Sequence, residues 1–163
     1  MTDYWITSHW PTPEPETSSF RNVYFKTGKR KNLPKIGDIV FIYESAVAVV
    51  EGRRVDRVYQ CYEGKRELKV VPPGRSAIIS RAVISGEPRA IQSTDIVYDF
   101  GNLDEWSIIP CNCQTSVREI AKEDMMKLLG YPRNTPPRFL RLWCIPDLQV
   151  AQRLIKQIEE NEY

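Results

Sequence analysis

A Gly-Asp turn followed by five apolar or aromatic residues, Gly37-Asp38-Ile39-Val40-Phe41-Ile42-Tyr43-Glu44-Ser45, predicts a strand. β-Branched and aromatic residues favour a pleated chain, and the run has strand length. Alternation puts Ile39, Phe41, Tyr43 and Ser45 on one face and Val40, Ile42 and Glu44 on the other. A strand apolar on both faces belongs in the middle of a sheet or barrel. The first face ends in two hydroxyls, Tyr43 and Ser45, the pattern expected at the mouth of a pocket or where a core strand surfaces.

The same pattern divides the rest of the chain. Tyr4 to Ser8 reads as a short aromatic strand, and the prolines at 11, 13 and 15 end it. Thr17-Ser18-Ser19 offers N-cap hydroxyls for a short helical segment through Phe20 to Tyr24. Further strands are expected at Ala46 to Val50, Val55 to Tyr62, Leu68 to Val71, Ser76 to Ser85, Ile96 to Phe100 and Trp106 to Ile109. Ser116-Val117-Arg118-Glu119 has the form of a capping box, followed by a helical stripe from Val117 to Leu129 that Gly130 and Pro132 close. Phe139 to Ile145 returns as a strand, and Asp147 caps a last helix with Leu148, Ala151, Leu154, Ile155 and Ile158 on one side. Many short strands with late helices predict an α+β fold: a small β-barrel of five to six mostly antiparallel strands with flanking helices. At 163 residues the expectation is one domain spanning 1–163.

Charge adds a direction. From Arg21 to Arg89 there are fifteen Lys/Arg and seven Asp/Glu, a balance of +8, whereas the rest holds eight against fourteen, a balance of −6. Such asymmetry points to an anionic partner, nucleic acid first among them, unless the charges intermix on folding. No apolar run approaches the roughly 18 residues of a membrane span. The start, Met1 to Trp5, lacks the charged and apolar regions of a secretory signal, so a cytoplasmic protein with four reduced cysteines is expected.

Enzyme signatures are thin. There is one histidine, His9, and neither G-x-S-x-G nor H-E-x-x-H occurs. Gly28-Lys29 lacks the leading glycine and the Ser/Thr of a phosphate loop. Cys111-x-Cys113 supplies two thiols where a structural zinc wants four ligands. A binding protein is therefore expected, with no catalytic residues, no metal and no cofactor.

The stronger signal is aromatic. Eight of the seventeen Phe, Trp and Tyr residues fall within the first 45 positions. They interleave with hydroxyls and Asn22 and adjoin a basic loop, Lys26-Thr27-Gly28-Lys29-Arg30-Lys31-Asn32. Rings stack on exposed bases, amides and hydroxyls read base edges, and Lys/Arg hold phosphates. On this reading Trp5, Trp10, Phe20 and Tyr43 wall a base-binding site, and Thr7, Ser8, Asn22 and Ser45 hydrogen-bond the base edge. Arg21 contacts a phosphate or carbonyl, while Lys26, Lys29, Arg30, Lys31, Arg53 and Arg54 take the backbone.

Tyr4-Trp5-Ile6, Phe20-Arg21-Asn22, the Gly37–Ser45 strand and Arg141-Leu142-Trp143-Cys144-Ile145-Pro146 together resemble, in order and rough spacing, the signature of EVE domains. These belong to the PUA-like superfamily, with YTH and ASCH domains as relatives. Phe20 stands near the family's usual Trp, Glu44 replaces the His of the strand end, and His9-Trp10-Pro11 replaces a Lys-Ser-Glu-Pro-like turn. The resemblance implies a small barrel whose pocket accepts a modified base, flipped from DNA or carried in RNA. It also implies a link to prokaryotic restriction or modification sensing, with an effector nuclease or other defence protein as a possible partner. Two rival readings stay open: an RNA-binding or RNA-cleaving protein of the ASCH-like branch, and an interaction module with its aromatic cluster buried as core.

Overall fold

The structure, a computed structural model of the chain, describes residues 2–11, 22–26, 32–50, 52–95, 97–98, 105–114, 119–130 and 142–160. In chain order the elements are β1 (Tyr4–His9), β2 (Asn22–Lys26), β3 (Ile39–Glu44), β4 (Ala48–Val50), β5 (Arg53–Val55), β6 (Arg57–Tyr62) and β7 (Lys65–Val70). After them come β8 (Ala77–Ile84), β9 (Arg89–Ala90), β10 (Val97–Tyr98), β11 (Trp106–Gln114), β12 (Ile120–Ala121), α1 (Lys122–Leu129), β13 (Trp143–Cys144) and α2 (Leu148–Glu160).

The main sheet runs β13-β1-β3-β8-β11-β2, with β12 on β8 and β9 on β11. It is mixed: β1 and β3 are parallel over six residues, and the other pairs are antiparallel. The sheet curls, because Trp5 of β1 packs in one cluster with Val23 and Phe25 of β2, four strands away along its path. The expected mainly β fold with flanking helices holds, with the small barrel realised as a curled half-barrel sheet of eight strands, and Gly37–Ser45 does supply a central strand.

The two faces of that strand are finished differently. Phe41 and Tyr43 join Ile6, Ile78, Met125, Ala151, Leu154 and Ile158 under the two helices. Val40 and Ile42 join Trp5, Val23, Phe25, Ala82 and Ile109 inside the curl. A bulge in the β3–β8 pairing moves β8 from one set to the other: Ser80 opposes Ile42, yet Ile78 opposes Tyr43, so Ile79 is the extra residue. Without it Ile78 and Ser80, two positions apart, would share a face.

Local signals hold at several ends. Gly130 adopts φ 77° and donates to the carbonyls of Lys127 and Met126, closing α1 in the left-handed conformation that glycine tolerates. Asp147 caps α2 through its Oδ1, 2.9 Å from the Gln149 N–H. Glu63 and Gly64, both at positive φ, make the two-residue turn between β6 and β7.

Other expectations give way. Asn22 to Tyr24 lie in a strand, not a helix, because pairing with β11 satisfies the backbone and buries Val23 and Phe25. Ile120 and Ala121 pair with β8 before α1 begins, and α1 has no side-chain cap at Ala121. Ser116 to Arg118 of the expected capping box lie outside the described residues. β11 runs on to Gln114, past the expected end at Ile109, carrying both Cys111 and Cys113.

Candidate functional site

At the start of β1 the Gly37-Asp38 turn places a carboxylate inside the protein. Asp38 is 3% exposed and takes three donors: the Asp3 N–H at 3.0 Å, the Lys35 N–H at 2.9 Å and the Trp5 indole N–H at 3.2 Å. A buried charge is tolerable when hydrogen bonds replace its water, and this one fixes the register of β1 against β3.

At the other end the two strands are tied by backbone and hydroxyl. The Ser45 N–H donates to the His9 carbonyl at 2.9 Å, and the Ser45 hydroxyl lies 3.2 Å from the same carbonyl and 2.9 Å from that of Val47. Gly74 closes over this knot. A Cβ there would stand 1.7 Å from the Ser45 carbonyl oxygen and 2.6 Å from Pro11, so only glycine fits without moving backbone.

Beyond the knot lies a polar cluster drawn from five strands and a loop. The rings of His9 and Tyr24 meet edge-on with centroids 6.0 Å apart, bridging β1 and β2, which do not pair. Asn22 hydrogen-bonds the Tyr24 phenol. Arg89 grips Asp95 through two hydrogen bonds of 2.8 Å, and the Gln92 N–H donates to the same carboxylate at 2.7 Å. On β6 the Gln60 amide donates to the Tyr98 hydroxyl at 3.4 Å. Trp10, half-buried, packs with Tyr98 and Val58 beside them.

The protonation states in this cluster are fixed near neutral pH. His9 is half-buried as a residue but its Nε2 is enclosed, and burial lowers its pKa to about 4, so the ring is neutral. Burial, reinforced by the negative charge of Asp95, raises the Tyr24 phenol, against the opposing hydrogen bond from Asn22. The Arg89 guanidinium lowers the Asp95 carboxyl, which stays ionised within a neutral pair. The arrangement thus gathers rings, amides and hydroxyls with no net charge, and much of it is buried: Tyr98 belongs to the core and the His9 Nε2 is enclosed.

A thiol pair adjoins the cluster, with Cys111 near enough to the Tyr24 phenol to act on it electrostatically. Cys111 and Cys113, two apart on β11, share one strand face. A hydrogen bond from Cys111 and a second from Ser80 favour negative charge on Cys113, and the first of these holds Cys111 protonated. Among the described residues no group of three or more His, Cys, Asp or Glu side chains is placed to hold a metal.

The residues expected to line one pocket are divided. Trp5 and Thr7, each 3% exposed, face into the curl as core, the Trp5 indole bonded to Asp38. Tyr43 lies on the opposite face, 6% exposed beneath the helices and hydrogen-bonded by Ser76, and Ser8 stands beside it in register. The face that was expected to end at a pocket mouth is therefore the helix-covered one. Glu44, expected to point away, is the register partner of His9. Ser45 is engaged by the strand knot. Of the proposed base contacts among the described residues, only Trp10 and Asn22 join the polar cluster. Arg53 and Arg54 are exposed on β5, and Lys26 ends β2. Phe20, Arg21, Lys29, Arg30 and Lys31 lie outside the described residues.

His9, Gln60, Tyr24, Arg89, Asp95 and Tyr98 were not expected as site residues. Tyr24 carried a signal as one of the early aromatics, and His9 stood in His9-Trp10-Pro11 at the altered turn of the resemblance; the others stand in segments with no motif.

No protein-family model matches the sequence, and no curated protein does. Among the described residues no helix is long and apolar enough to cross a membrane. Among solved structures the chain is similar to the ASCH domain of Zymomonas mobilis, with a TM-score of 0.53 and 13% identity over 94% of each chain. That likeness is one of fold: the curled mixed sheet with its two helices matches the architecture of that domain.

Proposed function

We propose that this protein binds nucleic acid and reads a modified base, as an EVE-type member of the PUA-like superfamily would, with the base turned out of its stack, from DNA in preference to RNA. The observation that carries the reading is the neutral cluster of His9, Asn22, Tyr24, Gln60 and Tyr98 beside the Trp10 ring. An extruded base is uncharged, flat and edged with donors and acceptors, which rings and amides complement. Exposed Arg53 and Arg54 supply cations for phosphate contacts. The PUA-like fold adds support by analogy. Binding without catalysis fits groups that hold one protonation state near pH 7, and such a reader would serve a restriction or modification-sensing partner in the cytoplasm.

Equilibrium titration of oligonucleotides carrying methylated or hydroxymethylated bases, against unmodified controls, tests the reading. Trp10→Ala is expected to weaken binding about tenfold, the lower part of what one stacking contact contributes, and to erase part of the preference. Equal affinity for every oligonucleotide, unchanged by Trp10→Ala, overturns it. The ASCH-like fold favours a second reading, an RNA-binding or RNA-cleaving protein. Incubating RNA with the protein and divalent metal decides it by the appearance of fragments.

A further inference from the structure

Strands β6 and β7 form a hairpin at the edge of the small sheet β10-β6-β7. Their register pairs Arg57 with Val70, Tyr59 with Leu68 and Cys61 with Arg66, so these six share one face. The alternate residues, Val58 and Gln60 among them, turn inward toward Tyr98. This alternation sorts charge as well. Glu67 belongs to the inner set, opposite Gln60, and pairs with Lys69 at 3.3 Å. The outward face therefore carries two guanidiniums and no carboxylate.

That face is also open and apolar. Tyr59 is 39% exposed, Leu68 48% and Val70 65%. The Arg66 guanidinium lies over the Tyr59 ring, 4.3 Å from its centroid. Among the described residues neither Arg57 nor Arg66 makes an ion pair. Beside the hairpin Arg53 and Arg54 are exposed as well, so Arg53 to Val70 holds six Lys/Arg against three Asp/Glu. A contiguous exposed apolar patch marks a binding surface. One that joins an aromatic ring to unneutralised guanidiniums matches a polyanion with flat apolar faces.

We infer that the outward face of the β6–β7 hairpin is a stacking platform for single-stranded nucleic acid. Tyr59 and the Arg66 plane take a base, Arg57 and Arg66 take phosphates, and Leu68 and Val70 shield the contact from water. The inference rests on the nucleic-acid reading above and extends it to a surface separate from the polar cluster, on the other side of β6. This surface contributes affinity without sequence preference; base choice stays with the cluster.

Fluorescence anisotropy of the full chain with short mixed-sequence single strands, of DNA and of RNA, and with the matching duplex tests this. Wild type is expected to bind the single strands more tightly than the duplex. Tyr59→Ala lowers single-strand affinity about tenfold, alike for all sequences. The pair Arg57→Ser and Arg66→Ser lowers it further and flattens the slope of log K against log salt by about 1.4, two phosphate contacts' worth. In both variants the preference for a modified base persists. All three positions are exposed, and a circular dichroism melt matching wild type confirms the fold.

Wild-type affinity in these variants, with wild-type binding intact, overturns the platform and leaves the base-reading proposal standing. Loss of all nucleic-acid binding by wild type overturns both. Tighter binding of the duplex than of the single strands overturns the single-strand assignment. A concentration-dependent dimer in sedimentation, made monomeric by Leu68→Asp, gives the face to a second copy of the chain and overturns it as well.

Discussion

Strand β1 carries polar chemistry at both ends, built to opposite specifications. At its start Asp38 is an ionisable group sealed in the interior and saturated by three donors fixed in place, two of them backbone. At its end His9 and Tyr24 are rings held edge to edge across strands that do not pair, among amides and a neutral Arg–Asp pair. The first arrangement leaves no capacity for a ligand and serves register. The second is assembled from five separate segments and gives little to any one strand's pairing. The Trp5 and Gly37-Asp38 positions that carried the family resemblance thus belong to the structural end, and the residues suited to recognition lie elsewhere.

Substitutions that separate the two ends sharpen this contrast. The largest effect is expected from Asp38→Ala, which strips three donors of their buried partner. Each hydrogen bond to a charged group contributes roughly 1.5–3 kcal/mol, and losses at one hub are less than additive, so stability falls by about 3–5 kcal/mol in urea titration. Asp38→Asn, which keeps the shape, recovers about half. Under conditions where the variant stays folded, oligonucleotide preference is unchanged; a shift in preference at full stability would make Asp38 part of the recognition end.

Next comes acid. The folded-state pKa of His9, about 4, lies below the ordinary 6.5, so between these values the unfolded chain binds more protons. The stability this neutral ring contributes is present above pH 6.5 and is lost as pH falls toward 4. A depression of this size corresponds to about 3 kcal/mol at pH 4. Denaturant midpoints measured from pH 7 to pH 4 should fall, and His9→Asn should flatten the curve. An unchanged slope in that variant would show that folding does not lower the His9 pKa and that other groups set the acid sensitivity.

Tyr24→Phe removes one hydroxyl from the polar cluster proposed for recognition. Leaving Asn22 without that partner costs about 1 kcal/mol of stability. The discrimination between modified and control bases is expected to drop roughly tenfold, the effect of one buried hydrogen bond in a reading site. If stability falls and discrimination does not, the phenol is structural.

The smallest effect belongs to Ser45→Ala. Its hydroxyl supports a backbone tie that already holds through the Ser45 N–H, so about 0.5–1 kcal/mol is expected, with no change in binding. A binding defect in this variant, seen by the same titration, would restore Ser45 to the site.

The sequence determined those features that depend on neighbours a few residues apart. Alternation of apolar residues marked the strands, since pleating alone separates faces. Asp147 and Gly130 marked helix ends, since capping is satisfied within one turn. Alternation also states which residues share a face, but not what that face meets. Phe41 and Tyr43 were legible as a set; that α1 and α2 would cover it was decided by long-range burial. One extra residue, Ile79, was enough to move Ile78 to the helix side, and no local pattern announces a bulge set by partner strands. The Asn22–Lys26 segment became a strand because β11 offered it hydrogen bonds and a core, outweighing the hydroxyl-rich start of a helix. The polar cluster is the extreme case. His9 meets Tyr24 across strands that never pair, and Tyr98 meets Gln60 from a distant segment, so their neighbourhood exists only once the sheet has curled.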